Sequence, residues 1–336
     1  MSQGSKRGRL PALAIVLAVA LAAGTAAAGE PALKQIQSIE LLGKAGKLDH
    51  LVVDSKSERL FLANRVNNTF DIVDLKAGKL LKQVTGQGGA QGVAYAADLD
   101  RLFVALGNGG YCNIFDGKDY KPLKTVKFKD DADNIRYNAK TGLVYVAHAE
   151  NSIGVVDAKT FAVKADIKLA GTAEAFQLET GRPRMYVNVP STSEVVVIDT
   201  DKNEVATRYP LKAAGANMAM ALDEANKRIF VGCRKEPMVV VLDADTGKEV
   251  ATIGIPGDID DLFYDAKRKQ LYAVCGEGSI AVIRQTSADK YELQEKVATV
   301  KDARTGYFDA DTGRLYVGVP RQQGKKGPEI WVYQAK

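Results

Sequence analysis

From Lys34 to the C-terminus the chain alternates short apolar runs with polar turns, and no stretch sustains a helical period. Runs such as HLVVD (50–54), RLFLAN (59–64), TFDIVDL (69–75) and KLLKQVTG (79–86) are rich in β-branched and aromatic residues. Each is bounded by Gly, Asn, Asp or Lys, which is the pattern of short strands joined by tight turns. DSKSER, DEANKR and DADTGR read as polar hairpin loops between a first strand and a second.

The runs repeat. RLFLANRVNNTFDIVD (59–74) recurs as RLFVALGNGGYCNIFD (101–116), GLVYVAHAENSIGVVD (142–157) and RMYVNVPSTSEVVVID (184–199). Three further copies are KRIFVGCRKEPMVVVLD (227–243), KQLYAVCGEGSIAVIR (269–284) and RLYVGVPRQQGKKGPEIWVY (314–333). The residues that close the preceding apolar run are Asp54, Ala96, Asn138, Glu179, Asp223, Asp265 and Asp309, spaced by 42, 42, 41, 44, 42 and 44 positions. Four short strands every ~40–45 residues are the signature of a propeller blade. The pattern predicts an all-β, seven-bladed β-propeller of four-stranded blades. The last unit has only three strands before the chain stops, whereas KQIQSIELLG (34–43) matches the fourth-strand segments. The N-terminal strand is therefore expected to close the ring by pairing into the last blade, which covers an edge that would otherwise invite aggregation.

The pattern running from Met185-Tyr-Val-Asn-Val to Val-Val-Ile-Asp199 resembles the YVTN repeat of exported YncE-like and surface-layer-associated propellers. The resemblance extends from about Lys34 to Lys336, and it speaks to architecture more than to activity. Leu106, His148 and Cys233 depart from it, standing where that family often carries Asn or another small polar residue.

Residues 1–28 read as a secretion signal: Lys6, Arg7 and Arg9 precede the apolar run Leu10–Ala23, and Ala26-Ala27-Ala28 offers a cleavage site. An uncleaved anchor is the alternative, but the run is short of the ~20 residues that span a bilayer. No Cys at the cleavage point suggests a lipid anchor, and no Arg-Arg pair suggests the twin-arginine route. The expectation is a Sec-type leader over 1–28 and one propeller domain over 29–336, periplasmic or secreted, monomeric and without a membrane span. Of the 46 basic side chains, three lie in that leader, leaving 43 against 41 acidic ones. A net charge of about +2 argues against a nucleic-acid partner, whose binding rests on a basic face.

Aligning the repeats places Asp49, Gln91, Asp133, Glu174, Met218, Asp260 and Arg304 in one register, at the expected mouth of the central channel. The next register holds His50, Gly92, Asn134, Ala175, Ala219, Asp261 and Thr305. Crowded carboxylates repel one another unless a cation compensates. Asp49, Asp133, Glu174 and Asp260 are thus candidate ligands for a divalent ion such as Ca²⁺ or Mg²⁺, or for a basic or hydroxylated small molecule; a solvated acidic rim is the plain alternative. Arg65, Arg234 and Arg321 follow second strands and, with Arg304, are expected to ring the same face, where they could hold an anion. The mixed polarity suits a zwitterion or a protein partner.

His50 and His148 are the only histidines and the candidate acid/base residues, both expected at the mouth, with His50 oriented by Asp49. Seven-bladed antibiotic lyases similarly carry a mouth histidine and a metal ion. Cys112, Cys233 and Cys275 lack a metal-binding spacing, and Cys233 and Cys275 occupy equivalent registers of adjacent blades, an arrangement that disfavours a disulfide. No Cys-x-x-Cys-His, phosphate loop or Gly-x-Ser-x-Gly is present, so haem, nucleotide and serine-hydrolase chemistry are not expected. Trp331 is the single tryptophan, whereas quinone-dependent (PQQ) propellers carry repeated tryptophan motifs. The leading expectation is a non-enzymatic binding or scaffold protein that takes a small polar ligand or a periplasmic protein partner at the channel mouth. The alternative is a metal-dependent lyase or lactonase-like hydrolase with His50 or His148 as general base.

Overall fold

The computed structural model describes residues 1, 2, 4 and 30–336; the leader expected over 1–28 lies almost wholly outside them. Pro31–Lys336 forms one compact unit. It contains seven antiparallel four-stranded sheets, and among the described residues the only helical element is a 3₁₀ turn at Arg65–Asn67. No helix among those residues is long and apolar enough to cross a membrane.

Blade one is Leu51–Asp54, Arg59–Asn64, Thr69–Asp74 and Lys79–Thr85, in that order from the channel outward. Blades two to six repeat that order, with inner strands Ala90–Ala96, Ile135–Asn138, Phe176–Leu178, Gly215–Asp223 and Ile259–Asp265. Blade seven is Gly306–Asp309, Arg314–Val319 and Glu329–Ala335, completed by Leu33–Glu40 from the other end of the chain. Leu33 pairs with Ala335 and Glu40 with Glu329, so the expected closure is present. Ile39, wholly buried on the closing strand, packs with Ile330, Leu60 and Leu62 and ties blade seven to blade one.

One side chain per blade carries much of the packing. The third residue of each second strand is aromatic: Phe61, Phe103, Tyr145, Tyr186, Phe230, Tyr272 and Tyr316, none more than 2% exposed. Burying such a side chain contributes roughly 1.5–3 kcal/mol, so the set is a main reason the seven sheets hold as a ring. Outer strands such as Pro122–Lys127 and Val163–Lys168 are largely exposed and lysine-rich, which discourages edge-to-edge pairing. The Asp that ends many third strands has a structural task. Asp157 and Asp199 each accept two backbone N–H groups from the turn that follows (Lys159 and Thr160, Asp201 and Lys202), which pushes both carboxyls below their usual range.

Candidate functional site in the central channel

The mouth register stands just before an inner strand at Asp49, Asp133, Glu174 and Arg304 and inside one at Gln91, Met218 and Asp260. Backbone bonds between neighbouring blades fix these positions: the His50 N–H donates to Gln91 O (3.0 Å) and the Ala175 N–H to Met218 O (3.2 Å). At Gly92 a Cβ would lie 2.1 Å from the Asp133 carbonyl oxygen, so only glycine lets blades two and three approach this closely.

The structure brings most of the expected mouth residues together. Arg65 Nη1 lies 3.3 Å from Asp49 Oδ2 and also donates to Gln91, whose Nε2 donates to Asp131 (2.9 Å) and to the Ala132 carbonyl (3.1 Å). Arg234 donates to Asp260 and to Ile259 O (2.8 Å). Arg304 bridges Asp258 (2.8 Å) and Asp260 (2.9 Å). Three arginines are thereby matched to Asp49, Asp258 and Asp260. Asp133 and Glu174, both half-buried, have no side-chain hydrogen bond or ion pair among the described residues. A carboxylate oxygen from each of Asp49 and Asp133 and a ring nitrogen of His50 lie within 4.8 Å of one another. Arg321 is exposed and forms no ion pair among the described residues.

Burial dominates the electrostatics. It pushes the Asp49 carboxyl up to about 7, against the opposing pull of His50, and repulsion from Asp133 and Asp260 adds to the rise. Glu174 also reaches about 7, through burial and then the charges of Asp133 and Asp260. Asp133 and Asp260 are raised by burial too, Asp260 despite Arg234 and Arg304. In His50 neighbouring charge outweighs burial. Burial disfavours its charge, but the Asp261 carboxylate, its hydrogen bond, and then Asp49 and Asp133 raise the imidazole to about 10.

Two expectations about histidine need correction. Asp261 sits nearer the His50 ring than Asp49 does: its Oδ2 is 3.4 Å from Nδ1, whereas Asp49 Oδ1 is 3.8 Å from Nε2. The same Asp261 oxygen accepts the Gly306 N–H at 2.9 Å. His148 is away from the mouth. It is buried at 4% exposure, stacks on Phe128 with centroids 4.7 Å apart, and meets Asp166 of the outer strand at 3.0 Å. The reason is strand parity: His148 is the last residue of its second strand, and Arg65 and Arg234 stand one place further on, so they point elsewhere. The other residues in the register of His148 (Asn64, Leu106, Val189, Cys233, Cys275 and Val319) are all buried. Cys112, Cys233 and Cys275 are buried free thiols, each pushed up to about 12 by burial.

Behind the mouth lies a cavity of about 350 Å³ lined by His50, Asp261, Arg136, Gln177 and Tyr307. Arg136 and Tyr307 were not among the expected site residues. Arg136 is the only cation in any inner strand, and that isolation in Ile-Arg-Tyr-Asn is the one sequence signal that could have revealed it.

Comparison with known proteins bears on the scaffold alone. No protein-family model and no curated protein matches the sequence. Among solved structures, the chain is similar to the WD40 repeats of RRP9, with a TM-score of 0.77 and 12% identity over 89% of this chain and 97% of that one. A structure of U3-55K is similar to the same degree, with a TM-score of 0.77 and 12% identity over 88% and 98%. At that identity the likeness defines a seven-bladed propeller and nothing finer.

Proposed function

We propose that this propeller is a binding protein whose channel mouth receives the cationic group of a small polar ligand. One observation carries the reading: Asp133 and Glu174 form no side-chain hydrogen bond or ion pair among the described residues, while Arg65, Arg234 and Arg304 are engaged by Asp49, Asp258 and Asp260 and the nearby His50 by Asp261. A half-buried carboxylate gains most from a ligand that brings its own positive charge. Calorimetry with alkylammonium ions tests this, and absence of heat at millimolar concentration overturns it. A scaffold role toward a protein partner is compatible with the same mouth, and WD40-type neighbours support it by analogy only.

A second reading has its own observation. The Asp49–His50–Asp133 cluster places two carboxylate oxygens and a ring nitrogen close enough for one divalent ion, whose binding would release the His50 proton; a lyase or hydrolase would use the ion as its electrophile. Metal analysis and calorimetry with Ca²⁺, Mg²⁺ and Zn²⁺ separate the two: a stoichiometric ion lost in Asp49→Asn favours the metal site. The repeat pattern supports kinship with exported YVTN-type propellers, and the leader supports a periplasmic or secreted address. N-terminal sequencing of protein recovered from the periplasm tests the address, with a new N-terminus at Gly29 expected.

A further inference from the structure

We propose that the channel binds a bipolar ligand, with its cationic group at the mouth carboxylates and its carboxylate on Arg136. This rests on the mouth reading for one end of the ligand and on a separate set of residues for the other. Arg136 is half-buried on the inner strand of blade three. Its one hydrogen bond is from Nη1 to the Ile135 carbonyl oxygen at 2.9 Å, and its guanidinium lies 5.6 Å from the Phe176 ring centroid. Among the described residues no carboxylate stands within ion-pair distance of it. This sets it apart from Arg65, Arg234 and Arg304 at the mouth. A guanidinium is a planar fork matched to a carboxylate, and most of its donors here are unused.

The surroundings fit an anion. Arg136 shares its cavity with Tyr307, whose hydroxyl has no partner among the described residues, and with Gln177. The cavity's one carboxylate, Asp261, is already held by the Gly306 N–H and by His50. The channel is therefore acidic where it opens and basic further in. Asp133 stands three residues before Arg136, just outside the inner strand that begins at Ile135, so the chain between them spans at most about 10 Å. His50, within 4.8 Å of Asp133, lines the same cavity of about 350 Å³ as Arg136, which puts the two ends next to one space. Arg136 also borders a second cavity of about 480 Å³ between the loops of blades three and four.

Three matched probes test the proposal by calorimetry: 6-aminohexanoate carries both charges, hexylamine only the cation, and hexanoate only the anion. The expected result is that 6-aminohexanoate binds at least tenfold more tightly than either partial probe. Arg136→Gln should reduce it to the level of hexylamine and leave hexylamine unchanged, while Arg136→Lys should fall between. Circular dichroism and the thermal midpoint show whether each variant is folded. If hexylamine binds as tightly as 6-aminohexanoate and Arg136→Gln changes neither, the inner anion site is overturned while the mouth reading stands. If hexanoate binds through Arg136 and hexylamine does not bind, the mouth reading fails and the ligand is not bipolar. If no probe binds, both are overturned.

Discussion

Asp261 and His50, 211 residues apart in the chain, meet with Oδ2 3.4 Å from Nδ1, and the same oxygen accepts the backbone N–H of Gly306. One carboxylate thereby joins blades six, seven and one. It orients the imidazole and holds the ring's charge at a buried position where burial alone would remove it.

Asp261→Asn should bring the His50 pKa down from about 10 toward its ordinary value of 6.5, read by ring-proton NMR. Because the folded-state value is raised, the stability that His50 contributes is complete below pH 6.5 and is lost as pH rises through about 10. Denaturant unfolding of the wild type should show that loss on the alkaline side, and Asp261→Asn should flatten it. An unchanged His50 titration in the variant contradicts the pairing.

The acids shift stability in the opposite sense from a salt-bridged carboxylate. Asp49 is raised from 3.8 to about 7, so the folded protein binds the extra proton and loses stability as pH climbs across that window. A cationic ligand at Asp133 and Glu174 must displace the proton that burial holds on Glu174, whose carboxyl is raised to about 7, and Asp133 is raised in the same direction. The ligand's affinity should therefore rise between pH 5.5 and 8, by roughly tenfold per pH unit for each proton displaced, and level off above. Calorimetry in buffers of different ionisation enthalpy should register proton release at pH 6. A flat affinity profile counts against the site.

The two histidines should separate cleanly. His148→Ala empties a packed position against Phe128 and should cost about 2–4 kcal/mol of unfolding free energy while leaving channel binding intact. His50→Ala should change binding at the channel far more than it changes the unfolding midpoint. Reversal of that pattern places His148 in the site after all.

The parts of the account that repeat were legible in the chain. The 42-residue period, the aromatic third residue of each second strand and the strand left over for closure all recur seven times or complete a seventh copy, and repetition averages out local ambiguity. What differs between blades was harder to read. His148 was expected at the mouth because a turn boundary misjudged by one residue reverses the direction of a strand side chain. Asp261 and Arg136 take their meaning from neighbours on other blades. A repeat alignment places them in a register, but it does not show which carboxylates the arginines will already have engaged.

The closing strand gives a test of the architecture. Ile39→Asp puts an unpaired charge into the contact between blades seven and one and should cost about 3–5 kcal/mol. The unsealed edge of Glu329–Ala335 should then promote aggregation, visible by light scattering during thermal unfolding. A variant as stable and as soluble as the wild type contradicts the latch.

The most direct test of the central claim is a calorimetric titration of hexylamine into the purified protein at pH 8, beside the Asp133→Asn/Glu174→Gln double variant. One-to-one binding that the double variant loses, with its thermal midpoint preserved, is the predicted result. Equal heats in the two proteins, or none in either, would mean that the unpaired carboxylates at the mouth do not receive a cation.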